Sequence, residues 1–125
     1  MSAPVKGHTL WLIADGYIPP KSSGELESHE SICVLNCTEE DAELKMTVYF
    51  EDRPPLENIR EVVPGRRTRH IRTSTLSSSG GEGIPAGVPY ALEVESNVPV
   101  LVQYSRLDAT QPANTLMTAI GYPVK

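Results

Sequence analysis

Ten polar or aromatic side chains are placed to hold a small ligand: Trp11, Asp15, His29, Glu30, Asn36, Arg67, Gln103, Arg106, Asp108 and Asn114. Each lies in or at the end of a segment that reads as extended. Planar hydrogen-bonding groups beside an aromatic ring suit a neutral polyol or sugar, whose C–H face stacks on the ring while its hydroxyls bond in pairs. A structural role competes at every one of these positions. Arg106-x-Asp108, for example, also reads as a turn in which the carboxylate accepts backbone N–H groups.

Other chemistries find less support. His29 and Glu30 are neighbours at the start of a strand, so they point to opposite faces and cannot act as a mutual acid–base pair. His8, His29 and His70 show no H-x-H or H-x-x-x-H spacing, so no metal site is expected. Hydrolysis of a glycoside needs two facing carboxylates, and spacing brings no two of Asp15, Glu30 and Asp108 together. There is no nucleophile elbow and no dinucleotide fingerprint. Gly80-Gly81-Glu82-Gly83 lacks the lysine and the helix of a phosphate loop. The expectation is a protein that is not an enzyme and carries no cofactor.

Five of the eleven basic residues, Arg60, Arg66, Arg67, Arg69 and Arg72, crowd one segment. Arg66, Arg69 and Arg72 could contact a partner or an anion, and a nucleic-acid reading would use such residues on phosphates. Parity weakens it. Arg67 and Arg69 share a face with Ile71, whereas Thr68, His70 and Arg72 share the other, and no aromatic side chain is present for base stacking. The simpler reading is an edge or interface strand whose inward arginine pairs with a carboxylate. Nucleic acid is thus the weaker expectation.

These side chains must be positioned by strands. Helical periodicity is nearly absent, and period-2 alternation predicts strands near 8–14, 29–36, 43–51, 59–63, 67–72, 90–96, 98–106 and 115–122. The third alternates cleanly, with Leu44, Met46, Val48 and Phe50 inward. Thr9–Ala14, Ser31–Asn36 and Val98–Arg106 are apolar on both parities. In a small all-β domain only one face can meet the core, so the second face calls for another copy of the chain. The predicted fold is all-β: a single domain over 1–125, an antiparallel β-sandwich of about eight short strands, homo-oligomeric. The connection Thr73–Pro89, rich in serine, glycine and proline, reads as a mobile loop.

The chain has 125 residues and a net charge of −5, with no apolar run long enough for a bilayer. Its first residues lack the basic start and apolar core of a signal peptide, which predicts a cytoplasmic protein. Cys33 and Cys37 stand four apart on an extended segment, about 13 Å, beyond the reach of a disulfide. They read as buried free thiols.

Four segments together resemble the sensory rhodopsin transducer family: WLIADGYIPP (Trp11–Pro20), SHESICVLN (Ser28–Asn36), VPGRRTRHIR (Val63–Arg72) and SNVPVLVQYSRLDATQPANTLMTAIGY (Ser96–Tyr122). The resemblance runs in order through nearly the whole chain and is weakest in the loops Lys21–Glu27 and Thr73–Pro89. It implies a cytoplasmic β-sandwich that assembles as a homotetramer. It further implies a sensor or transducer that relays a signal by protein contacts, either at the cytoplasmic face of a membrane receptor or in response to a small polar metabolite such as a sugar. A DNA- or receptor-binding adaptor without a small ligand is the alternative, and an enzyme on a sugar-like substrate the third. The family brings no catalytic residues to carry over.

Overall fold

The computed structural model describes residues 3–24, 26–111 and 113–125. The strands are β1 (His8–Tyr17), β2 (His29–Asn36), β3 (Ala42–Phe50), β4 (Leu56–Val63), β5 (Arg67–Arg72), β6 (Pro89–Asp108), β7 (Thr115–Ile120) and β8 (Tyr122–Pro123), all paired antiparallel. A 3-10 turn, Thr73–Thr75, follows β5. The all-β antiparallel expectation holds, with boundaries close to those read from alternation. Among the described residues no helix is long and apolar enough to cross a membrane.

One correction organises everything else. The segments expected as separate strands at 90–96 and 98–106 are one strand of 20 residues, β6. Its first half lies between β3 and β1, giving the order β4-β3-β6-β1-β8, and its second half lies between β2 and β7, with β5 beyond β2. The passage between the two sheets falls at Ser96–Pro99, where the register slips: Leu10 faces Glu95, but His8 faces Val100. Asn97 holds that bend, its Oδ1 accepting the Glu43 N–H at 2.7 Å. A bulge adds residues to one strand and bends it, which is how a strand changes sheets. Alternation survives the bend, because every even residue of β6 from Tyr90 to Tyr104 is buried.

The core lies between the two sheets. Leu44, Met46 and Val48 of β3, Ile59 and Val63 of β4, Ile32 and Val34 of β2 and Ile71 of β5 close on Val94, Val100 and Val102 of β6. The apolar pattern of β1 resolves differently from expectation. Trp11 and Ile13 join the core, whereas Leu12 is exposed. On the second half of β6 the outward positions are the half-buried Leu101 and the exposed Gln103.

Two further expectations need correcting. Thr73–Pro89 is anchored: Leu76 and Ile84 are buried, and bridges join Ile59 to Ser78 and Ser77 to Gly83. Two apolar side chains in a polar segment were enough to staple it to the core. Cys33 and Cys37 are free, as expected, but half-buried rather than buried. Cys33 stands on the outward parity of β2, and Cys37 follows the strand's end.

Candidate functional site

Glu30 is the centre of the site. It lies on the inward parity of β2, its residue 1% exposed, in a largely apolar core. A carboxylate there requires several donors to replace water. The Tyr17 N–H donates to Oε1 at 3.0 Å and Oε2 at 2.9 Å. The Tyr90 hydroxyl donates to Oε1 at 2.5 Å, the Tyr104 hydroxyl donates to Oε2, and Arg106 Nε donates to Oε2 at 2.7 Å. Thr73 Oγ1 lies 3.1 Å from the Tyr90 oxygen. The group ties β1, β2, both ends of β6 and the 3-10 turn to one carboxylate.

The local reasons are visible in the register. Glu30 and Arg106 are direct cross-strand partners, so their side chains emerge on one face. Tyr90 and Tyr104 sit 14 residues apart on β6, about 45 Å along a straight strand. Only the bend of β6 brings both hydroxyls to one point. Gly16 faces Tyr90 across β1, and a Cβ there would come 2.4 Å from the phenol ring. The bare α-carbon is what lets that ring lie against β1.

The electrostatics follow from burial. Desolvation and the neighbouring Glu30 carboxylate push the Tyr90 and Tyr104 phenols well above the ordinary tyrosine range, so both stay protonated donors. Arg106 and Glu30 pair one charge against the other, with the arginine side chain 21% exposed. Its guanidinium carbon stands 6.0 Å from the centre of the Tyr104 ring. Arg106 Nη2 is buried and has no hydrogen-bond partner among the described residues. A buried donor without an acceptor costs about 1–3 kcal/mol.

Two hollows flank the β1 irregularity between Ile13 and Gly16. One, of about 300 Å³, is lined by Leu12, Asp15, Tyr104, Met117 and Tyr122 among others, and the second, of about 340 Å³, by Asp15, Tyr49, Glu51 and Tyr90 among others. Asp15 is exposed and borders both. The hollows offer a carboxylate at the rim and phenol rings as walls, and the Arg106 guanidinium, which lines neither hollow, stands beside the Tyr104 ring. These are the parts that hold hydroxylated ligands. No cluster of three or more His, Cys, Asp or Glu suited to a metal ion occurs among the described residues.

The other singled-out residues are distributed as follows. Trp11 is buried, its Nε1–H shared between the carbonyls of Val100 at 2.9 Å and His8 at 3.0 Å. Asn36 is a buried clamp whose Nδ2 donates to the carbonyls of Glu40, Val63 and Pro64. Asp108 closes a turn, Oδ1 accepting from the Thr110 N–H at 3.0 Å and its hydroxyl at 2.6 Å. Those bonds hold the Asp108 carboxyl below its usual range. His29 Nδ1 lies 2.9 Å from the Glu27 carbonyl, on the face opposite Glu30. Gln103 and Asn114 are exposed. Arg67 donates to the carbonyls of Gly65 and Arg66.

The arginine segment is largely neutralised within the chain. Arg69 pairs with Glu61 at 3.0 Å, Arg66 with Glu39 at 3.1 Å and Arg72 with Glu27 at 3.9 Å. Of the ten ligand candidates, then, Glu30 and Arg106 meet in the cluster and Asp15 borders the hollows beside it. Sequence reasoning missed Tyr90, Tyr104 and Thr73. The signal was there for the tyrosines: a phenol on the core parity of a strand must find a hydrogen-bond partner.

Comparison with known proteins agrees on one kinship. A family model described as Anabaena sensory rhodopsin transducer matches residues 6–123. The crystal structure of Thermotoga maritima 1070 superposes with a TM-score of 0.82 at 40% identity, covering 94% of this chain and 96% of that one. The Anabaena sensory rhodopsin transducer superposes with a TM-score of 0.74 at 42% identity, covering 84% of this chain and 92% of that one. No curated protein matches the sequence.

Proposed function

The chain belongs to the Anabaena sensory rhodopsin transducer family, and from that premise we propose that it is a cytoplasmic, homo-oligomeric, non-catalytic sensor that binds a small neutral polyhydroxylated metabolite, such as a sugar, and relays its presence by protein contacts. The observation that supports this reading is the buried, unpartnered Nη2 of Arg106 beside the Tyr104 ring. Glu30 already balances the charge of Arg106, so the cluster offers a directed donor with no net positive charge. An anion entering there would bring an uncompensated charge, whereas a hydroxyl oxygen completes the donor at no such penalty. Asp15 at the rim supplies an acceptor for a second hydroxyl.

The test is thermal-shift screening with free sugars and polyols, and with sugar phosphates as the charged control. A neutral sugar at 100 times its Kd is expected to stabilise the fold by about 2.7 kcal/mol, with no gain from a phosphate. Arg106→Gln, screened against its own unliganded melt, should lose that shift. If no sugar, polyol or sugar phosphate at millimolar concentration moves the transition, the ligand reading is wrong.

A second reading, an adaptor for a membrane receptor without a small ligand, is favoured by the exposed apolar side chains Leu116, Met117 and Ile120 on β7. It is supported if a receptor's cytoplasmic fragment, and no sugar, raises the transition.

A further inference from the structure

Arg106 is bound at one nitrogen. Its Nε donates to Glu30 at 2.7 Å and lies 3.1 Å from the Tyr104 hydroxyl, while its Nη2 is buried without a partner among the described residues. The neighbouring strand sets a thioether beside that guanidinium. Glu30 of β2, Arg106 of β6 and Met117 of β7 are successive cross-strand partners, so all three side chains emerge on the inward face. Directly opposed residues stand about 5 Å apart at Cβ, within the combined reach of an arginine and a methionine. Met117 also lines the hollow of about 300 Å³ that Tyr104 and Asp15 share, and it is 41% exposed. Met46, in contrast, is wholly buried in the core.

A thioether sulfur is a weak acceptor and does little for a guanidinium. Oxidation turns it into a polar sulfoxide. We propose that Met117 is a peroxide-sensitive switch of the ligand hollow: as the sulfoxide it engages the free end of the Arg106 guanidinium and takes the donor that a sugar hydroxyl would use. The inference rests on the ligand reading above and adds the regulation of that site. The sulfur lone pair attacks one oxygen of hydrogen peroxide, and the S–O bond forms as the O–O bond breaks. The proton on the transferred oxygen passes to the departing hydroxide, which leaves as water. Sulfur is oxidised and the peroxide reduced. The sulfoxide is neutral, so the balance of charge between Arg106 and Glu30 is kept. Its oxygen also satisfies a guanidinium that is costly to leave buried and unpaired. Two half-buried thiols compete for peroxide. Burial pushes the Cys33 thiol up, away from the reactive thiolate.

The experiment treats the full chain with hydrogen peroxide, then with dithiothreitol to restore the thiols, and locates the added oxygen by peptide mass. Met117 is expected to oxidise at least about tenfold faster than Met46, because exposure governs access to the sulfur. Without sugar, oxidation should raise the thermal transition of the native chain. It should lower that of Arg106→Lys, which keeps a charge facing Glu30 but has no guanidinium. Affinity for a neutral sugar, read from the thermal shift, should fall at least about tenfold on oxidation, the cost of one lost charge-assisted hydrogen bond. Met117→Gln, whose carboxamide oxygen stands in for the sulfoxide, should show the same loss untreated. Met117→Leu should respond to sugar identically before and after peroxide. A sugar affinity unchanged by complete Met117 oxidation overturns the switch and leaves the ligand reading standing. A reduced chain that no sugar stabilises overturns both. Met46 oxidising first, or oxidation lowering the transition equally in the native chain and Arg106→Lys, also overturns the switch. Should Arg106→Lys fail to fold, Met117→Gln against Met117→Leu decides alone, and equal sugar affinity in the two overturns the switch.

Discussion

Glu30 shows what a buried carboxylate requires. Its two oxygens accept from one backbone N–H, two phenols and a guanidinium, so a group that is expensive to bury becomes the joint between several elements. Buried ion pairs give little net stability, and their use is to specify arrangement. The phenols make a test. Tyr90 and Tyr104 have their ionisation pushed up by burial and by Glu30, relative to an unfolded value near 10. The folded state keeps protons that the unfolded state releases above that pH, so the stability they contribute is complete below it and falls as pH rises beyond it. Alkaline titration is expected to show Tyr90 and Tyr104 ionising only as the protein unfolds, with Tyr104→Phe shallowing the decline. Tyrosinate absorbance followed alongside circular dichroism reads both. Ionisation of all five tyrosines before any loss of structure would contradict the cluster.

At the scale of elements, two devices position the site. The bend of β6 at Asn97 carries one strand through both sheets, and the Asn36 clamp fixes where β2 leaves the site and the turn before β5 begins. Asn36 is buried and holds carbonyls of Glu40, Val63 and Pro64 while its Oδ1 accepts the Thr38 N–H at 3.0 Å. No apolar replacement supplies those donors. Asn36→Ala is expected to lower stability by about 2 kcal/mol through stranded buried carbonyls, measured by urea denaturation. A loss within experimental error would mean that solvent reaches those carbonyls. Sequence spacing placed Asn36 among ligand candidates because a polar residue at a strand end serves both purposes equally well. Only its contacts distinguish them.

For the whole molecule, charge distribution decides which partners are favoured. The basic segment looked like a phosphate-binding stripe in one dimension. Folded, Arg66, Arg69 and Arg72 each face a carboxylate of this chain, in a molecule of net charge −5. Binding to duplex DNA should therefore be absent at physiological salt in a mobility-shift titration. Affinity that persisted there and fell steeply with added salt would restore the nucleic-acid alternative. Leu116, Met117 and Ile120 of β7 and Tyr122 of β8 are exposed apolar side chains available to a partner.

Sequence alone located the strand segments, though not the joining of two of them into β6, because strand alternation is a local property with a period of two. Leu44, Met46 and Val48 announce their face without reference to any partner. The two-parity apolar strands also pointed toward assembly, although the exposed hydrophobic residues concentrate on β7 rather than on the outward face of β6. The site lay beyond such reading. Glu30 and Arg106 are 76 residues apart and meet through register. Tyr90 and Tyr104 meet through the bend of a strand that alternation had split in two. Register and curvature are set by how the whole chain buries its apolar surface, so only the tertiary structure could turn four scattered polar residues into one buried cluster.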